Sequence, residues 1–247
     1  MRAYAQTDSG KVRKVNQDSV FASVDPVGPL SNLFMVADGM GGHKAGDYAS
    51  RFVVETMVRL LKESGKKEAV SVLREAVEET NRLLFEEASR DTERTGMGST
   101  LVAATVLNGT LYVANVGDSR LYLLQDRLEQ ITRDHSLVEE MAALGKIRRD
   151  SEAYKNQKNI ITRAMGIAAT VDADLFEIPV RENDCILLCS DGLTNMVEDG
   201  EIETILRTPA TLEEKTGALI KAANDNGGRD NIAVILAEPQ TSEVIVC

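Results

Sequence analysis

The chain has 247 residues, of which 43% are apolar, and carries a formal net charge of −11. That length suits one generous domain or two small ones, with enough apolar residues for a sizeable core. The acidic balance argues against a nucleic-acid or anionic-membrane partner. No apolar run reaches the roughly 18 residues that span a bilayer, and two histidines are too few for a histidine-rich metal cage.

The N-terminal residues lack the apolar region of a secretion signal, so a cytoplasmic protein is expected. Short apolar or alternating runs predict strands at residues 2–7, 19–24 and 33–37. Two amphipathic helices are predicted next, over 45–61 and 68–88; the second places Val70, Leu73, Val77, Leu84 and Ala88 on one face. Strands follow at 100–107, 111–116 and 121–124, the first two joined by Asn108-Gly109. Both of those residues tolerate positive φ, which is the signature of a two-residue hairpin. Residues 133–160 are polar and poor in strand signal, apart from one or two amphipathic turns near 137–144, and read as a surface insertion or flap. Further strands are expected at 171–178, 185–189 and 232–237, and further helices at 200–206 and 212–223.

Helices that come in pairs between groups of strands do not form alternating βαβ units, so antiparallel sheets packed under helices are expected. One domain over residues 1–240, with a short tail at 241–247, is the simplest organisation, and monomer is the default state. Cys185 and Cys189 share one face of a strand and should be buried, while Cys247 is terminal and lacks a prenylation context. The odd cysteine count and the spacing oppose a disulfide framework or a zinc knuckle.

Apolar runs stop beside an Asp and a Gly three times: at Asp38-Gly39, at Gly117-Asp118 and at Asp191-Gly192. A fourth case is inverted, with Gly227-Gly228-Arg229-Asp230 preceding the last strand. One such pair is an ordinary turn. Four together suggest carboxylates sharing an edge, where mutual repulsion is relieved by a divalent cation. Asp38 and Asp191 end strands and Asp230 begins one, so they meet only if the last strand runs antiparallel to the others. Oxygen ligands select Mg²⁺, Mn²⁺ or Ca²⁺ over zinc, and a metal of this kind can turn water into a nucleophile by lowering its pKa.

Asp38-Gly39-Met40-Gly41-Gly42-His43 lets the backbone approach a ligand closely, so the Gly39 carbonyl is itself a candidate metal ligand. The stretch lacks the Gly-Lys-Ser/Thr ending of a Walker A loop. His43 reads either as a core histidine at the start of a helix or, beside a metal cluster, as a general acid. Arg13 is open between a solvated surface residue and a bidentate phosphate clamp.

In order, Arg13-x-x-Asn16-Gln17-Asp18, Asp38-Gly39-Met40-Gly41-Gly42-His43, Gly98-Ser99-Thr100, Gly117-Asp118-Ser119-Arg120, Ser190-Asp191-Gly192 and Asp230-Asn231 resemble the PP2C (PPM) serine/threonine phosphatases over nearly the whole chain. The chain looks most like bacterial members that oppose eukaryotic-type Ser/Thr kinases. The resemblance implies an α+β fold, a four-layer α-β-β-α sandwich with two central antiparallel sheets and metals at one edge. It implies two core Mn²⁺ or Mg²⁺ ions and a weaker third. Asp38 would bridge the core pair, with the Gly39 carbonyl on the second ion and Asp191 and Asp230 completing the first. Asp118 would help hold the third ion with Asp191, and Asp18 would act through water. Arg13 would bind substrate phosphate, His43 would protonate the leaving oxygen, and a metal-bridged water would attack phosphorus without a phosphoenzyme. Substrates would be phosphoproteins, including a kinase. Gln17 departs from the Glu of many members, which leaves the second ion one acidic neighbour fewer. The competing readings are a non-catalytic phosphoprotein-binding relative, a nuclease or cyclic-nucleotide esterase, and a globular protein with coincidental turns.

Overall fold

The computed structural model describes residues 1–41, 45–66, 68–90, 94–149, 151–157 and 160–239. His43 and Cys247 therefore lie outside the described residues, as does the expected tail.

The strands are β1 (Arg2–Asp8), β2 (Asp18–Ser23), β3 (Leu33–Met40), β4 (Gly98–Ser99), β5 (Leu101–Leu107), β6 (Thr110–Val116), β7 (Arg120–Leu124), β8 (Leu128–Gln130), β9 (Asp174–Pro179), β10 (Cys185–Cys189) and β11 (Ile232–Glu238). The helices are α1 (Ala45–Glu63), α2 (Ala69–Arg90), α3 (Leu137–Ala143), α4 (Glu152–Gln157), α5 (Asp191–Thr194), α6 (Asp199–Leu206) and α7 (Leu212–Asp225). One sheet has the order β1-β11-β10-β7-β8; the other has β2-β3-β5-β6-β9, with β4 against β3. All the pairings between these strands are antiparallel. Among the described residues no helix is long and apolar enough to cross a membrane.

Successive strand side chains point to opposite faces, and here both faces are covered. Phe34, Val36, Val102 and Val113 of one sheet meet Leu121, Ile186, Leu188 and Ile235 of the other between the sheets. The alternate residues Leu33, Met35, Leu101 and Ala103 face outward under α1 and α2. On the opposite side Cys185, Leu187, Cys189, Val234 and Leu236 pack under α5, α6 and α7. Two-sided burial explains why β3, β10 and β11 read as continuous apolar runs rather than alternating ones. Each fully buried large aliphatic side chain contributes about 1.5–3 kcal/mol of transfer free energy. The outer helix α7 opens on a reciprocal cap: Glu214 N–H donates to Thr211 Oγ1 (3.2 Å), and Thr211 N–H to Glu214 Oε2 (2.8 Å).

The predicted elements are present with shifted ends. The strand expected from residue 171 begins at Asp174, and the strand expected to stop at Ala37 continues to Met40, because β4 pairs with Gly39 and Met40. Two of the unexpected elements, β4 and β8, are only two and three residues long. In the polar stretch that follows β8, α3 occupies the expected amphipathic turn and α4 adds a second; the stretch closes on itself where Ser136 bridges Ile161.

The β5–β6 hairpin turns at Asn108 (φ +52°) and Gly109 (φ +75°), as the dipeptide requires. The space beside Gly109 is open, the nearest atom to an added Cβ being the Val180 carbonyl oxygen at 3.8 Å. Gly109→Ala should therefore introduce only left-handed strain and cost about 1 kcal/mol of stability in urea unfolding. An unchanged midpoint would mean that the turn does not hold this conformation.

Candidate active site

Antiparallel pairing brings several strand ends to one edge: the end of β1, the start of β2, the end of β3, the β6–β7 turn, the end of β10 and the start of β11. Asp18, at the start of β2, lies opposite Asp38 in β3. The Asp38 backbone is held on both sides. Its N–H donates to Thr100 Oγ1 (2.9 Å), and its carbonyl accepts from Thr100 N–H (2.8 Å) and Ser99 Oγ (3.0 Å). Thr100 Oγ1 is in turn 2.7 Å from Ser119 Oγ, next to Asp118. The Gly98-Ser99-Thr100 and Gly117-Asp118-Ser119 motifs thus brace Asp38 through hydroxyls. Ser190 Oγ donates to Asp18 Oδ2 (2.7 Å) and accepts from Ala233 N–H (2.9 Å), tying β2 to the β10–β11 pair.

Asp191 opens the short helix α5, and its Oδ2 accepts from Asn195 Nδ2 (2.8 Å). Asp230 Oδ1 accepts from Asn231 N–H (2.9 Å), and its Oδ2 accepts from Arg13 (2.8 Å). Behind Asp118, Arg120 grips Asp134 with Nε (2.9 Å) and Nη2 (2.7 Å) and donates to the Tyr122 hydroxyl (2.8 Å). Gly39 and Gly46 pass so closely that a Cβ on Gly46 would sit 2.6 Å from the Gly39 carbonyl oxygen, and one on Gly39 would sit 1.9 Å from the Gly46 oxygen. Gln17 covers the same crossing: its carbonyl accepts from Gly39 N–H (3.0 Å), and its Nε2 would lie 2.3 Å from a Cβ on Gly46.

These carboxylates perturb one another. Burial lifts Asp38 well above the usual carboxylate range, and the charges of Asp18, Asp191, Asp118 and Asp230 add to it. Burial pushes Asp18 up to about 7; the Ser190 hydroxyl eases the shift, Asp191 and Asp230 add to it, and contact with Asp38 eases it slightly. Asp118 is pushed up to about 8 by burial and then by Asp191 and Asp134, against its own backbone N–H and Arg120. Charges in a low-dielectric site that face like charges favour protonation, or a cation.

Among the described residues no three His, Cys, Asp or Glu side chains close around one point as a finished cage. Asp230 and Asp191 each have an oxygen turned to another partner, Arg13 and Asn195. Three observations still fit divalent cations. Asp18 Oδ1 and Asp118 Oδ1 are buried and accept no hydrogen bond. The Gly39–Gly46 crossing leaves no room for a side chain at either residue. The donors are all oxygen, as Mg²⁺ and Mn²⁺ require.

Two residues at this edge carried no assigned role in the sequence. His135 is buried; its Nδ1 accepts from Gly117 N–H (2.9 Å), and its Nε2 faces Asp174 Oδ2 (3.2 Å). Burial holds this ring below the usual histidine range, against the pull of Asp174. Its backbone N–H donates to the Gly117 carbonyl and its carbonyl accepts from Thr162 N–H, so it ties Gly117, next to Asp118, to Thr162. Asn231 is the other: it stood in a motif without an assigned role, yet its amide joins three backbone groups.

Residues 7–237 match the sequence signature of the protein phosphatase 2C family. Serine/threonine phosphatase stp of Listeria monocytogenes is 43% identical over 249 residues, which cover 96% of this chain and 96% of that protein. The crystal structure of Stp1 from Staphylococcus aureus aligns with a TM-score of 0.89 at 37% identity, over 97% of this chain and 95% of that one. The catalytic domain of the serine threonine protein phosphatase PstP, crystallised in complex with two manganese ions, aligns with a TM-score of 0.84 at 34% identity, over 96% and 97% of the two chains. With its two antiparallel sheets between helices and its edge of buried aspartates, the chain belongs to the protein phosphatase 2C family, as a metal-dependent serine/threonine protein phosphatase of the bacterial type.

Proposed function

We propose that this edge is the phosphatase centre, with Asp38, the Gly39 carbonyl, Asp191 and Asp230 holding two core Mn²⁺ or Mg²⁺ ions and Asp118 serving a weaker third. The observation that carries the reading is the repulsion centred on Asp38, which faces Asp18 across the β2–β3 pair and feels Asp191, Asp118 and Asp230 as well. Ions bound there supply a water nucleophile at neutral pH and offset charge on the phosphoryl oxygens.

The remaining work falls to the chain. Asp18 orients solvent at the edge, fixed by Ser190 through one oxygen. Arg13 stands half-exposed on the loop between β1 and β2 and clamps the substrate phosphate, exchanging Asp230 for the phosphate oxygens. His43 donates the proton that the leaving serine or threonine oxygen needs. Residues 133–160 act as a flap that shapes access for phosphoproteins, a partner Ser/Thr kinase among them.

Asp38→Ala should lower Mn²⁺-dependent turnover of a phosphothreonine peptide by at least about 10²–10³-fold, since charge stabilisation at the reacting group is lost. Near-normal turnover would sink the scheme. His43→Ala should slow the phosphothreonine peptide far more than p-nitrophenyl phosphate, whose leaving group needs no proton. Equal slowing would remove the general-acid role.

The raised carboxylates give a pH signature in chelator-stripped protein. Asp18 and Asp118 titrate near 7 and 8 when folded but near about 4 when unfolded, so the folded state binds more protons between those values. Stability without metal should therefore fall as pH rises from about 5 through 8. The rise in melting temperature on adding Mn²⁺ should be larger at pH 8 than at pH 6. A Mn²⁺ effect independent of pH would contradict this electrostatic account.

A further inference from the structure

The loop that carries Arg13 leaves β1 at Asp8 and joins β2 at Asp18, crossing from one sheet to the other over the carboxylate edge. Little of it packs: Val12 is 64% exposed and Val15 47%. Its course is set by hydrogen bonds to the segment that ends α7 and begins β11. Lys11 N–H and Val12 N–H both donate to the Gly228 carbonyl (2.7 and 3.2 Å), and Asn224 Nδ2 donates to Asp8 Oδ1 (3.1 Å).

The closing contact is a single side chain. Buried Asn231 donates through Nδ2 to the Ser9 carbonyl (3.1 Å) and the Val15 carbonyl (3.0 Å), and its Oδ1 accepts from Gln17 N–H (2.8 Å). One amide therefore uses both of its donors and its acceptor on the two ends of one loop, and Arg13 sits between them. Asparagine suits the position chemically. Aspartate would turn an oxygen toward two carbonyls, and alanine would leave three backbone groups without their partner.

We infer that Asn231 is a positioning residue for phosphate recognition: by closing the Ser9–Val15 loop it holds the Arg13 guanidinium at the metal edge. This rests on the reading of Arg13 as the phosphate clamp. The adjacent Asp230 gives the same short segment a second part in that task, since it receives Arg13 through Oδ2 and the Asn231 N–H through Oδ1.

A double-mutant cycle tests it, read as competitive inhibition by inorganic phosphate and as kcat/KM on p-nitrophenyl phosphate at saturating Mn²⁺. Arg13→Ala should weaken phosphate inhibition by about 10- to 100-fold, the range of a lost charged hydrogen bond. Asn231→Ala should weaken it by roughly tenfold in the wild-type background, but by less than about twofold in the Arg13→Ala background, because coupled residues are not additive. Mn²⁺ affinity, measured by calorimetry, should stay within about twofold of wild type, as no proposed ligand is removed. A purely structural role would cost the same factor in both backgrounds, and that result, or a loss confined to Mn²⁺ affinity, overturns the inference. If Arg13→Ala leaves phosphate inhibition unchanged, the clamp reading fails and the inference falls with it. Should Asn231→Ala not fold, Asn231→Asp keeps the acceptor for Gln17, removes both donors and enters the same cycle.

Discussion

Like charges gathered in a low-dielectric place raise one another's free energy, and here Asp18, Asp38 and Asp118 are gathered at one edge of the sandwich with Asp191 and Asp230 beside them. Nothing in the apolar layers favours such a cluster. It persists because the backbone at each aspartate is fixed by something other than its carboxylate: Asp38 by Ser99 and Thr100, Asp191 by the first turn of α5, Asp230 by its position ahead of β11. Hydroxyl and amide side chains act as braces, while the carboxylate oxygens Asp18 Oδ1 and Asp118 Oδ1 stay uncommitted. Stability is lost locally at this edge and gained across three apolar layers elsewhere.

The sandwich makes that arrangement economical. Because β11 lies between β1 and β10 and runs antiparallel to both, its start meets the ends of its two neighbours. The pairing of β2 with β3 sets Asp18 against Asp38 with no loop between them. Buried strand backbone is the least yielding part of a domain, so reactive side chains placed on or directly beside strands keep their spacing without help from substrate. Among the described site residues Arg13 is carried on a loop with little packing, and there the Asn231 amide supplies three side chain-to-backbone bonds to the loop ends.

Much of this was legible in the residues. Two-sided burial turns β3, β10 and β11 into apolar runs, Asn108-Gly109 marks its hairpin, and the order of Asp and Gly around the last strand requires antiparallel pairing. What escaped was set by contacts between distant segments. Asp38 lies inside its strand because β4, almost sixty residues on, extends the pairing, and Asp191 starts a helix too short to show a periodicity. The importance of His135 and Asn231 lies in partners that are neighbours only in the fold. Gln17 stood out as a missing charge, but its position over the Gly39–Gly46 crossing is set by the fold, which brings α1 against the end of β3.

The cysteines beneath α6 and α7 have a consequence for oxidative stress. Cys185 and Cys189 lie in a closed apolar layer, and burial pushes the Cys185 thiol up to about 12 and raises Cys189 as well. Thiols kept protonated and shielded from solvent react slowly with peroxide and with alkylating agents. The proposed chemistry uses no thiolate. Oxidants that act on exposed, ionised thiols therefore reach these two residues slowly.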